Sequence, residues 1–285
     1  MDKVIGIGKL GCAIVEELSH YPEYRVYKID NGIEERGSLA IPSCANMEEY
    51  EKVLDPVEVS IYLRSIKSGD EVLCILGGGD PVTGTALRIL ETIKDAELNI
   101  LYISPDRLMS SEIQKRDDKI AFNILQEYAR SGAIEKIFLV DKATIEDLME
   151  DAPIHQYEQQ ISHFIAHLVA MINYFNHTDP VLSSNIDLPE ICRLVTFGVS
   201  ALEGDTGVNF LFPMESLAGL HFYYGIPEGQ LDTDAQLIKQ IKDHVKDFKN
   251  SAECISYSIH PTTYERMMVL CLCFSSKVQP LLGSQ

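Results

Sequence analysis

The chain has 285 residues, 46% of them hydrophobic and 24% charged, enough for one large domain or two modest ones around a sizeable core. Its 24 Lys and Arg stand against 43 Asp and Glu, a formal net charge of −19, and such a surface repels nucleic-acid backbones and anionic membranes. Direct nucleic-acid binding is therefore not expected, nor is membrane insertion, since no apolar run reaches membrane-spanning length.

The opening MDKVIGIGKL is too polar for a signal peptide. Seven cysteines are scattered without a CxxC pair, which fits a reducing cytoplasm. KVIGIG (3–8) reads as a short strand ending in glycine, and GCAIVEELSHY (11–21) as a helix. YRVYKID (24–30) alternates like a strand, and a polar loop runs from it to Asn46. MEEYEKVL opens a helix that continues past Pro56 as VEVSIYLRSIK. DEVLCIL (70–76) is a buried strand, and VTGTALRILETIKDAE (82–97) a helix with Ala86, Ile89, Leu90 and Ile93 on one face. LNILYIS (98–104) is a strand, SSEIQKRDDKIAFNILQEYARSG a long amphipathic helix ending at Gly132, and IEKIFLVD (134–141) another strand. Strands alternating with helices predict a parallel sheet covered on both faces.

IHQYEQQISHFIAHLVAMINYFN (154–176) predicts an unusually apolar helix, buried on most sides between two halves. After it, RLVTFGVSAL, GLHFYYGIP, CISYSIHP and ERMMVLCLCF are strand-like, and TDAQLIKQIKDHVKDF (233–248) is one amphipathic helix. Cys271 and Cys273 alternate in an apolar run, so they share a face and read as buried thiols. The expected class is α/β: a parallel-sheet domain over 1–153, a long central helix over 154–178 and a smaller α+β domain over 179–285.

GIGKLG sets Gly6, Gly8 and Gly11 in the G-x-G-x-x-G pattern at a strand-to-helix junction, where backbone amides bind phosphate and glycines let it approach. Asp30 ends the next strand, about 20 residues on, so a Rossmann NAD-binding oxidoreductase is an open reading. A second cluster, LGGGDPVTGT (76–85), follows a later strand and opens a second helix. Two such junctions suggest a polyphosphate held from two sides, and no redox constellation supports the oxidoreductase.

The order of these features resembles the tubulin/FtsZ superfamily over nearly the whole chain. KVIGIGKLGCAIVEEL is similar to its first nucleotide loop and helix, YRVYKIDN to its second strand and loop, and Ala45-Asn46 to the third loop's phosphate contact. DEVLCILGGGDPVTGTALRILETIK resembles the tubulin signature strand, loop and helix, and ISPDRLMSSEIQKRDDKIAF the strand, loop and helix after it. SSNIDLPEI (183–191) resembles the N-x-D-x-x-D synergy loop, with Asn185, Asp187 and Glu190.

The resemblance implies a GTP/GDP site with Mg²⁺, built by Gly6, Gly8, Gly11, Cys12, Asn46, Gly77, Gly78, Gly79, Asp80, Thr83, Gly84, Thr85 and Glu158. It implies self-association into head-to-tail filaments. Asp187 and Glu190 of one copy would then polarise water over the next copy's nucleotide while Asn185 orients the loop. NIDLPE also reads as an N-capped helix start, a role compatible with catalysis.

Three departures bear on activity. Asp80-Pro81-Val82 stands between the glycines and Thr83-Gly84-Thr85, which reads as one inserted residue and a new carboxylate, and Asp80 can point away, help hold Mg²⁺ or weaken triphosphate binding. Tyr157, Glu158 and Gln159 replace the pair expected for guanine, so Glu158 either accepts from the base or is a polar residue of a first helical turn. The final KVQPLLGSQ lacks an acidic tail or an adaptor peptide, which points to a compact, divergent member resembling plasmid- or phage-type relatives, with an adaptor or cargo unknown. His163 and His167 have zinc-compatible spacing but no third ligand, so no metal site is expected. A filament-forming GTPase is the leading reading, and a non-hydrolysing structural or regulatory relative is the alternative.

Overall fold

The computed structural model describes residues 1–149, 153–184, 188–202, 204 and 206–281. It divides into two compact units, one built mainly from Met1–Ala170 and one from Met171–Gln279.

The first unit begins β1 (Lys3–Ile7), α1 (Gly8–Leu18), β2 (Arg25–Asn31), β3 (Leu39–Ile41), α2 (Met47–Val53), α3 (Pro56–Tyr62) and β4 (Glu71–Gly77). A 3-10 turn (Pro81–Thr85) then leads into α4 (Ala86–Thr92), β5 (Glu97–Ser104), α5 (Glu112–Arg130), β6 (Lys136–Asp141), α6 (Lys142–Leu148) and α7 (Tyr157–His177). The strands pair side by side as β3-β2-β1-β4-β5-β6, every pair parallel. Nearly every residue of β1, β4 and β5 is buried, so these strands are covered on both faces, as their unbroken apolar runs require.

Several elements depart from the sequence reading for local reasons. The polar loop after β2 contains β3, whose Leu39 and Ile41 are buried while Ala40 between them is exposed. The helix expected to run through Pro56 breaks there. Asp55 accepts the Val57 amide at 2.9 Å and Pro56 takes a first-turn position, a stop and restart written in one dipeptide. The helix expected over 82–97 is shorter, because a 3-10 turn precedes α4 and β5 starts at Glu97. α5 starts with a capping box in which Ser111 and Gln114 exchange bonds.

The second unit holds the last turns of α7, then β7 (Leu182–Ser183), β8 (Leu194–Ser200), β9 (Asn209–Phe210), β10 (Gly219–Pro227), α8 (Glu228–Thr233), α9 (Leu237–Asp247), β11 (Cys254–Thr262) and β12 (Met268–Ser275). The order β8-β12-β10-β11-β7 is mixed: β10 and β11 run parallel and the other pairs antiparallel, with β9 beside β8. Cys271 and Cys273 are fully buried in one cluster with Phe222, Tyr224 and Ile241, as the alternation predicts. Among the described residues, 188–193 form no helix, so the expected capped start after Asp187 is absent there. No helix among the described residues is long and apolar enough to cross a membrane.

Candidate functional site

The parallel sheet of the first unit reverses its winding between β1 and β4. The chain steps from β1 outward to β2 and β3, then returns to place β4 on β1's other side. In open parallel sheets, the crevice beyond the strand ends at such a switch point is where ligands bind. Both glycine-rich junctions fall there: Gly8 follows β1, and Gly77 ends β4. A cavity of about 630 Å³ opens at this place, lined by Lys9, the backbone of Gly77–Gly79, Asp80, Lys142 and Glu158.

The first junction is tightly packed. A Cβ on Gly6 would lie 2.5 Å from the Gly11 carbonyl oxygen, and one on Gly11 would strike the Ile75 carbonyl oxygen. These two glycines bring α1 hard against β1 and β4. Cys12 sits behind them, buried, its Sγ donating toward the Gly6 oxygen at 3.5 Å and the Ile29 oxygen at 3.7 Å. Burial pushes its thiol up to about 12, so it is an inert core group rather than a cavity residue.

The second junction is more open. The Gly78 amide donates to the Ile103 oxygen at 2.8 Å, extending the β4–β5 ladder by one residue. A Cβ on Gly78 would strike Asp118 and the Tyr102 hydroxyl, which themselves bond at 2.6 Å. Gly79 adopts φ 73°, a left-handed conformation that favours glycine. Among the described residues, no acceptor is paired with the Gly79 and Asp80 amides.

Asp80 does not point away. Its Oδ2 accepts the Lys9 amide at 3.3 Å and its Oδ1 accepts the Val82 amide at 3.0 Å. Burial raises its carboxyl above the usual carboxylate range. Asp30, at the end of β2, is raised likewise by burial, with Asp80's charge adding to it. Asp118, bonded to Tyr102, and Asp141, which caps α6 at Thr144, are also each raised chiefly by burial. The cavity lining itself carries Asp80 together with Glu16, Glu17 and Glu158, carboxylates where an anion-binding loop would be expected.

The remaining expected residues scatter. Thr83 donates its buried hydroxyl to the Gly77 oxygen at 2.7 Å, and Thr85 donates to the Val82 oxygen at 2.7 Å. Asn46 caps α2, accepting the Glu49 amide at 3.0 Å and donating to the Glu49 carboxylate at 3.1 Å, while the Ala45 amide donates to that carboxylate at 3.0 Å. Asn46, Thr83 and Gly84 line a separate cavity of about 420 Å³ with apolar walls from α4 and α5. Glu158 does face the glycine-loop cavity, paired with Lys142 at 2.9 Å. Of the expected catalytic residues, Asn185 and Asp187 lie outside the described residues, and Glu190 is an exposed turn residue of the second unit.

Sequence reasoning missed Lys9, Lys142, Tyr102 and Asp118. Lys9 is a variable position inside G-x-G-x-x-G, and Asp118 looks like one more charge on an amphipathic helix, so neither had a motif to flag it. Among the described residues, no three His, Cys, Asp or Glu side chains are grouped to hold a metal ion. His155 precedes α7, and His163 pairs with Glu17 at 3.1 Å.

The molecule is thus an α/β protein with a ligand-sized crevice at the switch point of its parallel sheet. No protein-family model matches the sequence, and no curated protein matches it either. Solved structures do. An empty FtsZ dimer from M. jannaschii superposes with a TM-score of 0.72 at 13% identity, covering 96% of this chain and 88% of that one. CetZ2 from Haloferax volcanii, a GTPγS-bound protofilament, gives 0.73 at 13% identity over 96% and 94%. A GTPγS-form protofilament of TubZ from Bacillus thuringiensis serovar israelensis gives 0.69 at 13% identity over 98% and 87%. The fold is the one these FtsZ, CetZ and TubZ structures share.

Proposed function

We propose that this chain is a guanine-nucleotide-binding protein that associates head-to-tail with copies of itself into filaments. The carrying observation is the glycine-rich loop after β4, whose Gly79 and Asp80 amides border a cavity of about 630 Å³ at the switch point of the sheet. Lys9 and Lys142 supply positive charge at its rim. The likeness to FtsZ, CetZ and TubZ, solved as a dimer and as GTPγS-bound or GTPγS-form protofilaments, favours this reading over a dinucleotide-dependent oxidoreductase.

Within this reading, GTP and GDP are the ligands and Mg²⁺ arrives as the counter-ion of the phosphates. Hydrolysis belongs to the assembled state, with Asp187 and Glu190 of one copy polarising water at the next copy's nucleotide and Asn185 orienting their loop. The cytoplasm is the compartment proposed, with an adaptor or cargo protein as a further partner. A second reading, a non-hydrolysing structural or regulatory relative, draws on the hydroxyls of Thr83 and Thr85, committed to backbone oxygens, and on Asn46, tied to Glu49.

Sedimentation with GTP, GDP, ATP or no nucleotide, with released phosphate assayed in the same tubes, separates the two. GTP-dependent pelleting with phosphate release that Asp187→Ala abolishes supports the first. Nucleotide binding without phosphate release supports the second. No pelleting under any nucleotide overturns assembly as the function.

A further inference from the structure

Asp80 joins the two glycine-rich junctions. Its side chain leaves the loop after β4 and reaches the first turn of α1, where Oδ2 accepts the Lys9 amide at 3.3 Å. Its other oxygen is held by the Val82 amide at 3.0 Å, so the carboxylate is fixed from both sides. Gly8 makes room for it. This residue adopts φ 74°, and a Cβ there would lie 2.5 Å from Asp80 Oδ2.

The first turn of a helix is where unpaired amides and the helix dipole favour negative charge. Here that place borders a ligand-sized cavity and already holds an anion supplied by the chain. A ligand phosphate directed at the same turn must displace the carboxylate or lie beside it. Displacement removes Lys9's acceptor, and adjacency sets like charges together in a crevice whose lining already carries Glu16, Glu17 and Glu158. A ligand with one phosphate fewer and less charge avoids both costs.

We propose that Asp80 is a built-in anion that occupies one phosphate position of the crevice, so that the site takes a nucleoside diphosphate in preference to a nucleoside triphosphate. The inference rests on the nucleotide reading above and names its ligand class. It also accounts for the Asp-Pro that follows the glycines: Pro81 takes a first-turn position of the 3-10 turn, and Asp80 caps that turn while reaching the Lys9 amide of α1.

The test is calorimetry of GDP, GTP, ADP and ATP on the wild-type protein, Asp80→Asn and Asp80→Gly, in one magnesium-containing buffer, with circular dichroism to establish that all three fold. The diphosphate is expected to bind the wild type at least tenfold tighter than the matching triphosphate, about 1.4 kcal/mol. Asp80→Gly is expected to narrow that ratio at least tenfold, and Asp80→Asn, which keeps the shape and loses the charge, to fall between. Equal binding of di- and triphosphate by the wild type, or a ratio unchanged in both folded variants, overturns the inference and leaves the nucleotide reading standing. Failure of all four nucleotides to bind any of the three proteins overturns the nucleotide reading and the inference with it.

Discussion

The junction after β1 and the junction after β4 bring the same glycine-rich chemistry to one crevice and use it differently. At the first, Gly6 and Gly11 are small because α1 is pressed against β1 and against the Ile75 carbonyl of β4. At the second, Gly78 clears the Tyr102–Asp118 pair behind the loop, and the next two residues line the cavity with amides that have no paired acceptor among the described residues. One junction is scaffold and the other borders the cavity with those amides. The amide left at the scaffold end, that of Lys9, is taken by Asp80 from the other.

The strongest way to break this contrast is at Gly11. Inside a helix, Gly→Ala ordinarily stabilises by about 1 kcal/mol, so the sign of the effect is informative. Gly11→Ala is expected to lose about 2–3 kcal/mol by urea denaturation, because its Cβ meets backbone that cannot step aside. Gly229→Ala in α8, with nothing within 4 Å of its Cβ, is the control and is expected to gain stability. If both gain, α1 is not held against the sheet as described.

Thr83 sharpens the contrast on the ligand side. Its buried hydroxyl satisfies the Gly77 carbonyl at 2.7 Å, so Thr83→Val is expected to cost about 1–2 kcal/mol of unfolding free energy, with Thr83→Ser close to wild type. Nucleotide affinity, read by calorimetry on the folded variant, should move less than about threefold, roughly 0.6 kcal/mol. A variant of unchanged stability with collapsed affinity would place the hydroxyl on a ligand instead.

The parallel architecture was legible because its strands are buried on both faces and read as unbroken apolar runs. The order of motifs was enough to reach the tubulin/FtsZ fold although overall likeness to solved members is only about an eighth in identity. What could not be read was direction. The letters GGG do not say which amides face a cavity and which are spent on Ile103. TGT does not say that both hydroxyls turn inward. Nor could spacing reveal that Asn46 is tied to Glu49 four letters beyond Ala45, since a helix cap and a phosphate contact use the same residue type. Short strands such as β3, embedded in a polar stretch, carry too few apolar letters to register.

Asp80 supplies a pH-dependent test that needs no ligand. Its carboxyl is raised by burial, so the native state holds a proton more tightly than the unfolded chain. Stability from this group is present below the unfolded carboxylate range and is lost as pH rises through the higher folded value. The melting temperature of wild type minus that of Asp80→Asn should therefore fall as pH rises through the carboxylate range and level off above it. A difference that rises with pH would mean that the Lys9 and Val82 amides outweigh burial.

The smallest expected effect is at Glu158, on the rim of the same cavity. Its pair with Lys142 is mostly solvated on the glutamate side, 60% exposed, and exposed pairs contribute little. Glu158→Gln is expected to change unfolding free energy by under about 0.5 kcal/mol, and less at high salt. Discrimination between GDP and ADP is a separate measurement on the same variant. A carboxylate that accepts from a guanine edge loses one of its two acceptors in Gln, and a base-reading role requires that preference to fall by about tenfold, roughly 1.4 kcal/mol. A preference unmoved, with stability unmoved, reduces Glu158 to the solvated partner of Lys142 and leaves base recognition to groups deeper in the crevice.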